Sequence, residues 1–292
     1  MQNMYRQQSL ITLDQFYEMK PLSKLEAILS FIDYSLFEEI FPYDAHKRGP
    51  KGYSKKQLFT TLMAMPIEQL SDIKALVTRL KSDPVLRRSL GYDYTNDTPS
   101  AATLNRFITL LSGTDILERT FRRMVCKARK LGLIDGTNVA IDASKLTAYE
   151  HAVPKSRIPS DNPSFPNWGG KLDTNGNFIK WFGWKMHALV DTYSGIPISY
   201  IITPANIADM DVAEDLIQKM MVDYENGLTP KYYMMDAGYD KPDLYASVYK
   251  KFHGQAIIPI NWRNTKIPPE GINMNGQLVC PMNYAYVYGG ND

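Results

Sequence analysis

The chain has 292 residues, with 33 Lys+Arg against 31 Asp+Glu for a formal net charge of +2, 44% hydrophobic residues, 18 Gly, 18 Pro and 2 Cys. That composition is ordinary for a soluble globular protein. At ~100–200 residues per domain the length predicts two domains, each able to bury a core, which excludes disordered and collagen-like chains. Cys126 and Cys280 show no CxxC or Cys/His spacing, the start MQNMYRQQSL lacks a basic stretch followed by an apolar one, and no apolar run approaches the ~20 residues of a bilayer span; no disulfide framework, zinc module or membrane segment is expected, and the expected location is cytoplasmic.

The first half reads as helical. Leu25, Ile28, Leu29 and Ile32 recur at helix spacing after Pro21, and the pattern ends in the region of Phe37 to Phe41, ahead of Pro42. The loop HKRGPKGYS follows. Ser54 is expected to cap a helix KKQLFTTLMAM running up to Pro66, and Ser71 to cap DIKALVTRLK, which must stop near Ser82 because the residue before a proline avoids the helical region. PVLRRSL ends at Gly91, Ser100 opens AATLNRFITLLS ahead of Gly113, and Thr114 opens DILERTFRRMVCKARK ahead of Gly132. In that last helix Leu117, Phe121, Met124, Val125 and Ala128 are expected to form the buried stripe.

Charge is uneven along the chain. Residues 1–138 carry 20 Lys+Arg and 15 Asp+Glu, a net of +5, and residues 139–292 carry 13 and 16, a net of −3. Lys47, Arg48, Lys51, Lys55 and Lys56 fall in one acid-free run; Arg119, Arg122, Arg123, Lys127, Arg129 and Lys130 fall in another. Such clusters can neutralise DNA phosphates, and short helices with basic loops fit a DNA-binding unit. The structural alternative is a solvated helix face and a lysine-rich loop in any small helical bundle.

The second half changes period. NVAIDAS reads as a short strand, and the Pro/Ser/Asn/Gly-rich stretch from Pro154 to Gly176 as a loop or insertion. KMHALVD and IPISYIIT form a hairpin through Tyr193, Ser194 and Gly195. A helix DVAEDLIQKMM, a buried strand KYYMMDAG, a helix from Lys241 to Lys251 and a strand AIIPI complete a mixed α/β layer. Asp142 and Asp236 stand at the ends of two apolar strand segments, where paired carboxylates can hold Mg²⁺ through hard oxygen ligands and a phosphodiester is the natural substrate. Each could equally cap a strand or begin a turn.

These residues also match a family. FGWKMHALVDTYSGIPISYIITPANIADMDVAEDLI followed by MMDAGYDKPDLY resembles the insertion-sequence DDE transposases of the IS-four-like type. The matching pieces are Asp142; G-x-K-x-H at Gly183, Lys185 and His187; D-x-x-x-G-x-P at Asp191, Gly195 and Pro197; T-x-A-N-x-x-D at Thr203, Ala205, Asn206 and Asp209; and D-x-G-Y-D at Asp236, Gly238, Tyr239 and Asp240. RGPKGYSKKQLF, DPVLRRSLG and PSAATLNRF are similar to the helical domain that precedes the catalytic domain in these proteins. The resemblance implies an α/β chain: a helical DNA-binding domain over 1–134, then an RNase H-like catalytic domain over 135–292. It implies a transposase of a bacterial insertion sequence that cleaves and transfers DNA strands at element ends.

The resemblance further implies Asp142 and Asp236 as catalytic acids and metal ligands, with Mg²⁺ as cofactor and Mn²⁺ as substitute. Lys185, His187, Asn206, Asp209 and Asp240 would support the site, with a structural hydrogen-bonding role for His187 and capping and turn roles for Asn206, Asp209 and Asp240 as alternatives. Double-stranded DNA, as terminal inverted repeats and target, is the implied partner, together with a homodimer; no membrane or small-molecule substrate is expected, and the protein would be nucleoid-associated when bound to DNA. The family's third acid, a Glu in Y-x-x-R-x-x-x-E on a late helix, has no counterpart here: the acids after Asp236 are Asp240, Asp243, Glu270 and Asp292. The chain therefore reads as C-terminally truncated and lacking its last helix. A catalytically inactive, DNA-binding or inhibitory product is the alternative to an active enzyme.

Overall fold

The computed structural model describes residues 12–42, 52–93, 97–149, 151–159, 162–172, 176–224, 227–261, 268, 270–274, 276–282 and 284–287. They fall into two compact units, Met1–Met124 and Val125–Asp292.

The first unit is built from α1 (Leu13–Met19), α2 (Lys24–Phe31), α3 (Ser35–Ile40), α4 (Lys55–Ile67), α5 (Ile73–Ser82), α6 (Pro84–Ser89), α7 (Ala101–Ser112) and the start of α8 (Ile116–Lys130). Side-chain caps set most of the starts. The Ser54 and Ser100 hydroxyls accept the Gln57 and Thr103 amides, and Ser23 forms a reciprocal capping box with Glu26. The α5 cap is Asp72 and not Ser71: its Oδ1 accepts the Ala75 amide at 2.7 Å, and a carboxylate at a helix N-terminus also meets the positive end of the dipole. α4 passes Pro66 by one residue, because a proline in the last turn forfeits one amide bond only. Leu25, Leu36, Leu58, Leu76, Leu80, Leu104 and Phe107 interdigitate in the core, each worth about 1.5–3 kcal/mol of burial. The stripe of α8 starts one residue earlier than expected: Ile116 and Thr120 are buried, and Leu117, about 100° round the helix from Ile116, is 47% exposed.

The second unit is a mixed sheet. Its strands are β1 (Asn138–Thr147), β2 (Asn167–Leu172), β3 (Phe178–Asp191), β4 (Pro197–Pro204), β5 (Tyr232–Met235) and β6 (Gln255–Ile257), with α9 (Asp209–Asp223) between β4 and β5 and α10 (Pro242–Lys250) between β5 and β6. β1 pairs antiparallel with β3, and β3 with β4; β1, β5 and β6 run parallel. β1–β4 are joined by antiparallel pairings and β5 and β6 are added in parallel through helices, which makes the unit a mixed α/β sheet. α9 buries Val212, Leu216, Ile217 and Met220, packing against β1, β3 and β4, whose inward residues include Val139, Ile141, Leu189 and Ile198.

Part of the stretch expected as a loop is strand β2, which continues the sheet along the first half of β3. The side chains of Trp181 and Phe178 lie over Gly169 and Gly170, filling the space that a Cβ would need, so two residues that read as loop punctuation serve as strand. β1 is also longer than NVAIDAS, since Ala143–Thr147 keep their pairing with β3 although most of them are exposed.

Candidate active site

β1 and β5 place the two expected acids together. Ile141 pairs with Met235, so Asp142 and Asp236 follow one step on, at corresponding positions of neighbouring parallel strands about 4.8 Å apart. Equal phase along the pleat sends both side chains to one face. Both residues are exposed and neither has an ion pair among the described residues: Asp142 accepts the Ala143 amide at 2.7 Å, and Asp236 Oδ1 accepts the Gly238 amide at 2.8 Å. That last bond caps a single 3-10 turn, Ala237–Tyr239, which reverses the chain and drives Tyr239 inward until it is 1% exposed. Among the described residues the Tyr239 hydroxyl has no hydrogen-bond partner. Burial first, and then the negative charges of Asp209, Asp142 and Asp236, push its pKa up and keep it protonated.

The opposite alternation of β3 carries a second group. Lys145 pairs with Lys185 and Ala143 with His187, so Lys185 and His187 face the α9 side of the sheet, opposite to the phase of Asp142. Lys185 Nζ donates to Asp209 Oδ1 at 2.8 Å and to the Ile207 carbonyl at 2.8 Å. His187 Nε2 is 2.8 Å from Thr203 Oγ1, while Nδ1 lies 3.7 Å from Asp209 Oδ1, beyond hydrogen-bond reach, and has no hydrogen-bond partner among the described residues. Burial pushes the His187 pKa down; Asp209 opposes that shift and Lys185 adds to it. The cation of Lys185 is thus committed to a carboxylate, and the strings holding Lys185, His187, Thr203 and Asp209 form one connected cluster. Asp209 is the first residue of α9, and Asn206 is exposed in the turn before it.

Two motif acids have local partners. Asp191, fully buried, accepts the Gly136 and Ser194 amides and the Ser194 hydroxyl, each at 2.8 Å. Asp240 accepts the Tyr245 hydroxyl at 3.2 Å and the Asn261 amide at 2.7 Å. Among the described residues no group of three or more His, Cys, Asp or Glu side chains could hold a metal ion. The in-register Asp142 and Asp236 fit a hard divalent cation as two oxygen donors, with water or a nucleic-acid oxygen left to complete the shell. Glu270 is exposed in a turn, and Asp292 lies outside the described residues.

Comparison with protein families gives two matches. A transposase DDE domain covers residues 128–273, and a transposase domain (DUF772) covers residues 12–110. The chain belongs to the DDE transposase family. A search of curated proteins finds no match. Among solved structures, a piggyBac transposase synaptic complex with hairpin DNA aligns at a TM-score of 0.37 and 13% identity, over 83% of this chain and 50% of that one. The present chain therefore spans half the length of that relative.

The basic residues of this chain fall into distinct settings. Lys47, Arg48 and Lys51 lie outside the described residues. Lys55 and Lys56 open α4 with their ammonium groups 5.9 Å and 4.6 Å from the ring centroids of Phe107 and Tyr34. Arg119 is ion-paired to Glu39 at 2.7 Å, and Arg123 reaches Asp33 at 2.9 Å and the Ser35 hydroxyl at 2.6 Å. Arg122 is half-buried and Lys127 exposed. Sequence reasoning matched Tyr239 and Thr203 to motifs and gave them no role; the signal present was their position inside D-x-G-Y-D and T-x-A-N-x-x-D.

Proposed function

We propose that this transposase cleaves DNA strands at the ends of its element and joins them to target DNA by in-line phosphoryl transfer, with Asp142 and Asp236 as its metal-holding carboxylates. The observation that carries the reading is the pair itself: two exposed aspartates, one step past the Ile141–Met235 pair of adjacent parallel strands, with no ion pair among the described residues. Mg²⁺, or Mn²⁺ in its place, would supply Lewis-acid activation of the attacking hydroxyl or water and charge neutralisation at the scissile phosphate. The chain's own part is positional. Asp142 and Asp236 present oxygen ligands from the rigid end of the sheet, and the Lys185–Asp209 pair holds the start of α9. Lys47, Arg48, Lys51, Lys55, Lys56, Arg119, Arg122, Arg123 and Lys127 would contact phosphates of double-stranded DNA without reading its sequence, and the ion pairs of Arg119 with Glu39 and of Arg123 with Asp33 would compete with that contact. Two copies bridging two element ends are the expected assembly, in the bacterial cytoplasm.

A second reading is a DNA-binding protein without cleavage activity, favoured by the lack of a third clustered carboxylate among the described residues. The test offers the purified chain a DNA fragment carrying the sequences that flank its gene. Metal-dependent nicking at the element end supports the first reading. Salt-sensitive binding with no nicking in Mg²⁺ or Mn²⁺ supports the second.

A further inference from the structure

The segment between β1 and the middle of β3 departs from the charge of its own half. Residues 151–182 carry Lys155, Arg157, Lys171 and Lys180 against Asp161 and Asp173, a net of +2 inside a half whose net is −3. Lys155 and Lys180 are exposed and make no ion pair among the described residues. β2 and β3 set an aromatic slot beside them. Gly170 pairs with Lys180 and Trp168 with Phe182, so strand alternation brings Trp168, Gly170, Phe178, Lys180 and Phe182 to one face. The slot measures about 520 Å³, is lined by Trp168, Gly170, Phe178, Lys155 and Lys180 among others, and holds no acid among its described lining residues. One wall is fixed: the Trp168 indole N–H donates to the Val153 carbonyl at 2.8 Å, and its ring centroid lies 5.6 Å from that of Phe182. The other wall is open. Phe178 reaches over the bare backbone of Gly170 and is 60% exposed, with the Lys180 ammonium 5.7 Å from its ring centroid. The slot is remote from the aspartates: Asp142 pairs with Ala188, eight positions along β3 from Lys180, which is about 27 Å at ~3.4 Å per residue.

We propose that this slot takes one unpaired base of single-stranded DNA: the base stacks on the Phe178 ring, on the side of Trp168, and its flanking phosphates meet Lys155 and Lys180. The chemistry of the lining selects that occupant. An aromatic face accepts the π-face of any base, whereas the bases of a duplex are stacked on one another and present only their edges. Two ammonium groups without acidic partners supply the charge that a nucleic-acid backbone requires, and rings with ammonium groups bind without preference for one base. The inference takes DNA as the partner from the proposed function; the aspartates have no part in the binding.

The test is fluorescence anisotropy of the whole chain in EDTA, with a labelled oligothymidylate of about twelve nucleotides and with a duplex of the same length. The proteins are the parent, Phe178→Leu, Phe178→Tyr and Lys180→Ala, each checked for folding by circular dichroism. Leucine keeps an apolar cover on Gly170 and removes the aromatic face; tyrosine keeps the face. Expected are single-strand affinity about 5- to 150-fold weaker in Phe178→Leu and parental in Phe178→Tyr, with duplex affinity parental in both. In Lys180→Ala the slope of log K against log salt for the single strand should shrink by about 0.7, the loss of one phosphate contact. Parental single-strand affinity in Phe178→Leu, or a Phe178→Tyr as weak as Phe178→Leu, overturns the inference and leaves the proposed function, read by nicking of duplex, standing. Equal losses for single strand and duplex in Phe178→Leu also overturn it, since the ring then serves something other than an unpaired base. A parent that binds duplex and no single strand overturns the inference alone; a parent that binds neither overturns both.

Discussion

Asp191 separates a structural acid from a functional one. It is fully buried, and its two oxygens accept the Gly136 amide, the Ser194 amide and the Ser194 hydroxyl, tying the β3–β4 turn to the segment that enters β1. Burial alone would raise its pKa; the Gly136 and Ser194 donors outweigh it and hold the carboxyl below the usual aspartate range. In Asp191→Asn one oxygen becomes an NH₂ facing an N–H or O–H donor, so at least one charge-assisted bond of about 1.5–3 kcal/mol disappears and one buried donor is left without an acceptor. The expected loss is about 2–4 kcal/mol, measured as the difference in urea unfolding free energy between parent and variant near neutral pH. The sign with pH is fixed by the depressed pKa: the stabilisation is complete above the unfolded value of 3.8 and is lost as pH falls through the folded value, so the variant and the parent converge in acid. A loss below about 0.5 kcal/mol, the level of an ordinary surface substitution, would refute the assignment of Asp191 as a buried anchor.

The remaining predictions follow from equally local geometry. Gly183 stands where β1, β2 and β4 all meet β3, with φ 153°, and a Cβ there would strike the Leu146 carbonyl and the Ala148 amide; Gly183→Ala is expected to cost more than about 3 kcal/mol in thermal or urea unfolding, and a cost under 1 kcal/mol would contradict that packing. Because burial holds the His187 pKa below 6.5, the folded state resists protonation, and stability is expected to fall as pH drops below about 6.5; His187→Gln should flatten that slope between pH 5 and 7, and an unchanged slope would place its origin elsewhere. Glu26 is partly buried, which raises its pKa, yet Lys20, the Ser23 amide and the Ser89 and Ser23 hydroxyls bring it down from 4.5 to about 2. After allowance for solvent screening, Glu26→Gln should cost about 1–2 kcal/mol above pH 4.5, with the gap closing as pH falls through about 2, and a gap that persists in acid would show that charge is not its source.

How far the sequence carried depended on whether local pattern or distant contact decided each feature. The hairpin of β3 and β4 and the helix α9 were legible because alternation and helical spacing persist over whole elements. β2 was not, because Gly169 and Gly170 are glycines whose missing side chains are replaced by Trp181 and Phe178 from the neighbouring strand. Asp142 and Asp236 could be picked out as acids ending apolar runs, and the family strings brought Lys185, His187 and Asp209 with them. That Lys185 spends its charge on Asp209 is a contact across 24 positions, and the partners of Arg119 and Arg123 lie 80 and 90 positions away, so charge clustering alone overstated the cations free for DNA. The burial of Tyr239 depends on one short turn and the core behind it, and neither leaves a periodic trace.

The proposed function stands on Asp142 and Asp236 as the metal-holding pair of a DNA-cleaving site. The most direct measurement is the rate of strand cleavage of gene-flanking DNA by the parent chain, Asp142→Asn and Asp236→Asn in Mg²⁺ and in Mn²⁺, with folding of each variant checked by circular dichroism. Expected is cleavage by the parent that EDTA abolishes and that either substitution lowers by about 100-fold or more, with both variants folded and no less stable than the parent, since each removes an exposed charge beside another of like sign. Cleavage that persists in EDTA, or that survives either substitution at the parental rate, would contradict it.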